Sequence, residues 1–182
     1  MTPRRHSLRS AALLVCAALL ATTMSACAPG PAPTPAPTPA FATEEEAFAA
    51  AEEVYRAYND ALNNVDPANP ESFESALDLS SGEVRAADRE RFSLMQAEGH
   101  QISGSARVLS FQGLNARPPF DSVSAQVCLD VREVSIVDAN GNSLVSPDRP
   151  DAYSIVVTLR QRDRHLRVNG IELSEDETCF AE

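Results

Sequence analysis

The sequence predicts an α+β domain, with three N-terminal helices packed on a curved four-stranded antiparallel sheet. Three observations carry this expectation. Between Phe48 and Met95 apolar residues recur every three or four positions, the spacing of a helix face. After Gly99 they recur every second position, the spacing of a half-buried strand. Within Ser122–Asp138 the apolar parity then changes, from Val123, Ala125, Val127, Leu129 and Val131 to Val134 and Ile136. One extra residue at Arg132-Glu133 accounts for the switch, so a β-bulge and a sharp bend are expected there.

Residues 1–26 read as an export signal. Arg4, Arg5 and Arg9 precede the apolar run Ala11–Ala21. A stable membrane span takes about 20 apolar residues, so this run is too short to be one. A basic start, a short apolar middle and small residues at the exit make a secretory signal peptide. The exit, Met24-Ser25-Ala26-Cys27, resembles the lipobox of bacterial lipoproteins, with Met24 where Leu is usual. That resemblance implies lipidation of Cys27 and contact with the membrane through the lipid, on the extracytoplasmic face of the cell membrane. Arg4-Arg5 and Leu8 fit a twin-arginine signal poorly, because of Pro3 and Ser7, so Sec export is expected. Cleavage after Ala28 by the A-x-A rule is the alternative, and would give a secreted chain.

Residues 27–42 form the lipidated Cys and a Pro-rich linker, with Pro at 29, 31, 33, 35, 37 and 39. Alternating Pro excludes helix and sheet and favours polyproline II. Such a stalk extends about 3.1 Å per residue, or roughly 45 Å in all.

Residues 43–182 form the domain. Thr43-Glu44-Glu45-Glu46 is a capping box that opens a long helix, with Phe48, Ala51, Tyr55, Tyr58, Leu62 and Val65 on one face. Asp66-Pro67 ends it. Asn69-Pro70 opens a short second helix with Phe73 and Leu77 inward. Ser80-x-x-Glu83 is a second capping box, and Val84, Ala87, Phe92 and Met95 make the stripe of a third helix closed by Gly99. His100–Gln112 is the first strand, with Ile102, Ala106 and Val108 on one face. Ser122–Asp138 is the second strand, and Asn140-Gly141 is the turn after it. Tyr153, Ile155, Val157 and Leu159 line the third. A polar turn at Gln161–Arg164 leads to a fourth with Leu166 and Val168 inward.

Charge and cysteines narrow the partners. The formal net charge is −11, all 26 acidic residues follow Cys27, and every one of the 15 basic residues is Arg. Such acidity argues against nucleic acid and against anionic membrane surfaces. Cys16 leaves with the signal peptide and Cys27 takes the lipid. Cys128 and Cys179 remain as an even pair, which reads as a disulfide in an oxidising compartment, with a metal site as the weaker alternative. Cys128 shares the polar parity of Ser124, Gln126 and Asp130, so the bridge is expected on the outer face of the sheet. No cofactor is expected.

Glu46–Asn63 (EAFAAAEEVYRAYNDALN), Val127–Val131 (VCLDV) and Ser146–Pro150 (SPDRP) resemble segments of nuclear transport factor 2-like lipoproteins of GC-rich Gram-positive bacteria. That superfamily is cone-shaped and includes SnoaL-like proteins and ketosteroid isomerases. The superfamily often inserts a hairpin between helices, and residues 66–82 are too few for one. None of these segments is catalytic, so a non-catalytic binding or assembly module is expected, with an envelope protein or a small apolar ligand as partner. The alternative is a SnoaL-like or isomerase-like enzyme on a small apolar substrate, which needs a carboxylate base and Tyr or Asp donors inside the cone. The candidate pocket-lining residues are Tyr55, Tyr58, His100, Leu129 and Tyr153. His100 is the ionisable one near the cone, although a His after a helix-ending Gly is usually a solvent residue. Asp138, Asn140 and Asn142 have a calcium-like spacing, but Ser143 stands where Gly is needed, so a hairpin turn explains them better.

Overall fold

The computed structural model describes residues 41–174 and 179. The predicted signal peptide, Cys27 and nearly all of the Pro-rich linker lie outside the described residues.

Helix α1 runs from Glu44 to Asn63. Thr43 Oγ1 accepts from the Glu46 amide at 3.2 Å, and Glu46 Oε2 accepts from the Ala42 amide at 2.9 Å. The capping box thus forms, and its return bond reaches one residue before the cap. Ala47, Ala51, Tyr55, Tyr58 and Ala61 are buried along one face. Half-buried Phe48 lies against Gly113, where a Cβ would collide with its ring. Asn69 then caps a 3-10 turn, Pro70–Ser72, that leads into α2, Phe73–Leu79, with Phe73 and Leu77 inward.

Helix α3, Gly82–Glu98, departs from expectation at its start. The capping box predicted at Ser80 does not form, because the edge of the sheet claims that segment. Ser80 is fully buried and forms a parallel bridge with Val168. The Ser81 amide donates to the Val168 carbonyl at 2.8 Å, and Ser81 Oγ accepts from Asn169 Nδ2. On the stripe, Asp88 is buried where Ala87 was expected, at i+4 from Val84 and i−4 from Phe92. Gly99 closes the helix at φ +67°, and the His100 amide donates to the Met95 carbonyl at 2.9 Å.

The four-stranded antiparallel sheet has the order β2–β3–β5–β6, with β2 Arg107–Ala116, β3 Ser122–Asp130, β5 Ala152–Arg162 and β6 His165–Leu173. Two shorter strands, β1 Gln101–Ser103 and β4 Ser135–Val137, pair with each other in a separate ribbon. Each of the first two predicted strands is therefore broken into two pieces. Both break at the same corner, so β1–β4 continues the β2–β3 hairpin beyond a bend. The parity switch is not a bulge at Arg132-Glu133. It is a turn, closed by the Val134 amide on the Val131 carbonyl at 3.0 Å. In the facing gap between β1 and β2, Gly104 has φ +74°, and a Cβ there would strike the Glu133 carbonyl. The two corners touch backbone to backbone, and only glycine fits. The register shifts of the sheet fall elsewhere, at Val108/Ser110 and Gly113/Asn115 in β2 and at Thr158/Leu159 in the β5–β6 pair.

The core lies between the helices and the inner face of this sheet. Val123, Ala125, Val127, Val157, Leu159 and Val168 are all fully buried there. Each Val or Leu among them contributes about 1.5–3 kcal/mol. On the opposite face Cys128 and Cys179 form the expected disulfide, with a Cα–Cα distance of 5.4 Å and a sequence separation of 51.

A candidate ligand cavity at the bend

A cavity of about 190 Å³ opens where α1, α3 and the bend meet. Three sets of residues shape it. Helix α1 supplies Leu62 together with Asn59 and Asn63, one turn apart. Helix α3 supplies Phe92, Met95 and Arg91. The bend supplies Ile102, Leu129, Val134 and Ile136. The parity switch thus does what its pattern implied, and brings Leu129 together with Val134 and Ile136. A cavity of about 150 Å³ holds one benzene ring. This one has room for a single ring or a short chain.

The amides on its wall are committed to structure. Asn63 Nδ2 donates to the Ala106 carbonyl and Asn63 Oδ1 accepts from the Ala106 amide, both at 2.9 Å. Asn59 Nδ2 donates to the same carbonyl at 3.0 Å. These bonds hook the start of β2 to α1 in the gap after β1.

The corner itself is pinned by ions. The buried Asp130 carboxylate accepts from the Arg132 amide at 3.0 Å, from Arg132 Nε at 3.1 Å and Nη2 at 2.8 Å, and from Arg107 Nη2 at 3.0 Å. The Arg132 bonds come first in holding its carboxyl well below the usual carboxylate range. From the loop before β5, Arg149 Nη2 donates to the Val131 carbonyl and the Asp151 carbonyl accepts from the Val131 amide, both at 2.8 Å.

A second buried carboxylate, Asp88, lies behind the cavity. Tyr58 Oη donates to Asp88 Oδ2 at 2.8 Å, and Arg91 Nη2 donates to Asp88 Oδ1 at 2.7 Å. Burial pushes the Asp88 carboxyl up, while the bond from Tyr58, the Arg91 charge and a bond from Ser80 pull it down. The Tyr58 hydroxyl is raised in turn, by burial first and then by the Asp88 charge.

Of the predicted pocket residues, only Leu129 lines this cavity. Tyr55 and Tyr58 are packed into the core under the sheet, with Tyr55 and Phe111 ring centroids 6.3 Å apart. His100 pairs with Glu98, Nε2 to Oε2 at 2.8 Å, at the end of α3. Its position after the helix cap keeps it off the cavity wall. Tyr153 lines a different hollow with Leu144 and Pro150, across the bend. Asp138 accepts from the Asn140 and Asn142 amides, each at 2.8 Å, and so makes a turn, as its sequence suggested. The residues that sequence reasoning missed are Asn63, Asp88, Arg91 and Asp130. Only Asp88 carried a signal, its i±4 spacing from Val84 and Phe92.

No known family profile matches the sequence, and neither does any curated protein. Solved structures do match. A candidate aromatic ring hydroxylase from Novosphingobium aromaticivorans is similar at TM-score 0.50 and 12% identity, over 72% of this chain and 96% of that one. The intermembrane space region of the chloroplast protein ARC6 is similar at TM-score 0.49 and 11% identity, over 69% and 95%. The beta subunit of a candidate aromatic-ring-hydroxylating dioxygenase, again from N. aromaticivorans, gives 0.48 and 12%, over 71% and 88%. At these identities the likeness is one of fold alone: three helices on a bent antiparallel sheet.

Proposed function

We propose that this protein is an exported, lipid-anchored module of the cell envelope whose cavity at the bend binds a small apolar ligand without transforming it. One observation carries the reading. The cavity is walled by Leu62, Phe92, Met95, Ile102, Leu129 and Ile136, and its two amides are already engaged with Ala106. Such a site offers apolar contact and shape, the means of binding rather than of proton transfer. An isomerase-like reaction needs a carboxylate free to take a proton from substrate. Both oxygens of Asp88 hold partners, and Asp130 is saturated by arginines. The anchoring half of the reading rests on the Arg-rich start, the short apolar run and Cys27.

The binding half is tested by titrating the exported protein with toluene and following its methyl groups by NMR. Saturable shifts at Leu62, Ile102, Leu129 and Ile136, abolished in Leu129→Trp, are the expected outcome. A linear response spread over the whole surface would contradict it. Intact mass of the membrane-extracted protein tests the anchor. A diacylglyceryl-sized addition on a chain starting at Cys27 is expected, and an unmodified soluble chain starting at Pro29 would contradict it.

A further inference from the structure

The ligand-binding reading leaves one feature of the cavity unused. Among the described residues, Arg91 is the one charged side chain on its wall. Its position is fixed at two points. Nη2 donates to Asp88 Oδ1 at 2.7 Å, and the guanidinium carbon stands 5.4 Å from the centre of the Phe92 ring. The Arg91 side chain is 48% exposed while that of Asp88 is 4% exposed, so the guanidinium lies at the rim with its counter-ion beneath it. A guanidinium has five N–H groups. Its bond to Asp88 is the one that Arg91 makes among the described residues, and the second Asp88 oxygen is held by Tyr58.

We propose that the cavity takes a small amphiphile, a one-ring or short-chain monocarboxylate, with its apolar body inside and its carboxylate on Arg91 at the rim. The inference rests on the binding reading above and names the ligand class. A carboxylate deep among Leu62, Met95 and Ile102 would lose its water and gain nothing in return. At the rim it keeps water on one side and meets charge-assisted donors on the other. Arg91 suits this task because Asp88 and Phe92 hold it in place before a ligand arrives. Little side-chain freedom is then lost on binding. The volume, about 190 Å³ beside the cavity of about 150 Å³ that holds benzene, suits a one-ring or short-chain body.

The test compares benzoate with benzyl alcohol, matched in size and differing in charge, by calorimetry on the exported protein. A charge-assisted pair at a half-exposed rim predicts about tenfold tighter binding of benzoate. Arg91→Met should bring the ratio of the two affinities towards one, and Arg91→Lys should fall between. Equal affinities in the native protein, or an unchanged ratio in Arg91→Met, would overturn the assignment. Arg91→Met also strips a partner from buried Asp88, so each variant is first checked by its melting curve. If neither variant folds, the native ratio alone decides. Binding of toluene without any preference for benzoate would sink this inference and leave the apolar cavity standing. Binding of neither would remove both.

Discussion

Asn63 satisfies both backbone groups of Ala106, giving from Nδ2 and accepting at Oδ1, each at 2.9 Å. A side chain at the end of α1 thus pairs with the backbone as a neighbouring strand would, in the stretch where β1 has ended and β2 has not begun. Asn63→Leu removes both bonds and leaves the Ala106 amide unpaired. The expected loss is about 1–3 kcal/mol by denaturant unfolding, with faster hydrogen exchange at Ala106. An exchange rate equal to wild type would show that the amide is protected in some other way.

Asp130 makes stability fall with acid. Its folded pKa lies below the unfolded value, so the unfolded chain takes up the proton first as pH drops. The stabilisation is present above the ordinary carboxylate pKa of about 3.9 and is lost progressively as pH falls below it. Asp88 acts in the opposite sense, since its raised pKa favours the folded state at low pH and that benefit fades as pH rises through it. Melting temperatures from pH 7 to pH 2 should therefore drop less steeply in Asp130→Asn than in wild type. Parallel curves would show that the two arginines do not set the acid sensitivity.

The disulfide ties residue 179 to the outer face of β3. Closing 51 residues contributes up to about 4 kcal/mol by restricting the unfolded chain. Cys179→Ser should melt well below wild type, and non-reducing peptide maps should hold Cys128 and Cys179 in one fragment. A mutant that melts with wild type would show that the bridge adds nothing to stability.

Most of the fold was legible in the sequence because it is written in periodicity. The stripe from Phe48 to Val65 gave α1, though the helix ends at Asn63, before Val65; the change of period after Gly99 gave the sheet, and the parity switch gave the bend. The form of the bend was not legible. A bulge and a turn both move apolar residues to the other parity, and choosing between them requires knowing that Gly104 lies against Glu133, a contact across 29 residues of chain. The candidate site was harder still. Leu129 was found because apolar alternation points it inward. Asp130, Asn63 and Arg91 are polar residues whose roles come from partners distant in sequence or buried in the core, and local patterns assign such residues to solvent; Asp88 alone had a helical spacing that pointed it inward. Tyr58 was placed inward correctly, but its position on the helix could not reveal that its hydroxyl would meet Asp88 30 residues later.

The central claim, that the space between α1, α3 and the bend is a binding site, is tested most directly by a crystal structure of the exported protein grown with toluene. The account predicts density for one ring enclosed by Phe92, Ile102 and Leu129, with the bonds from Asn59 and Asn63 to Ala106 unchanged. Saturating toluene with that space left empty, or filled by a rearranged Met95 or Leu129 side chain, would contradict it.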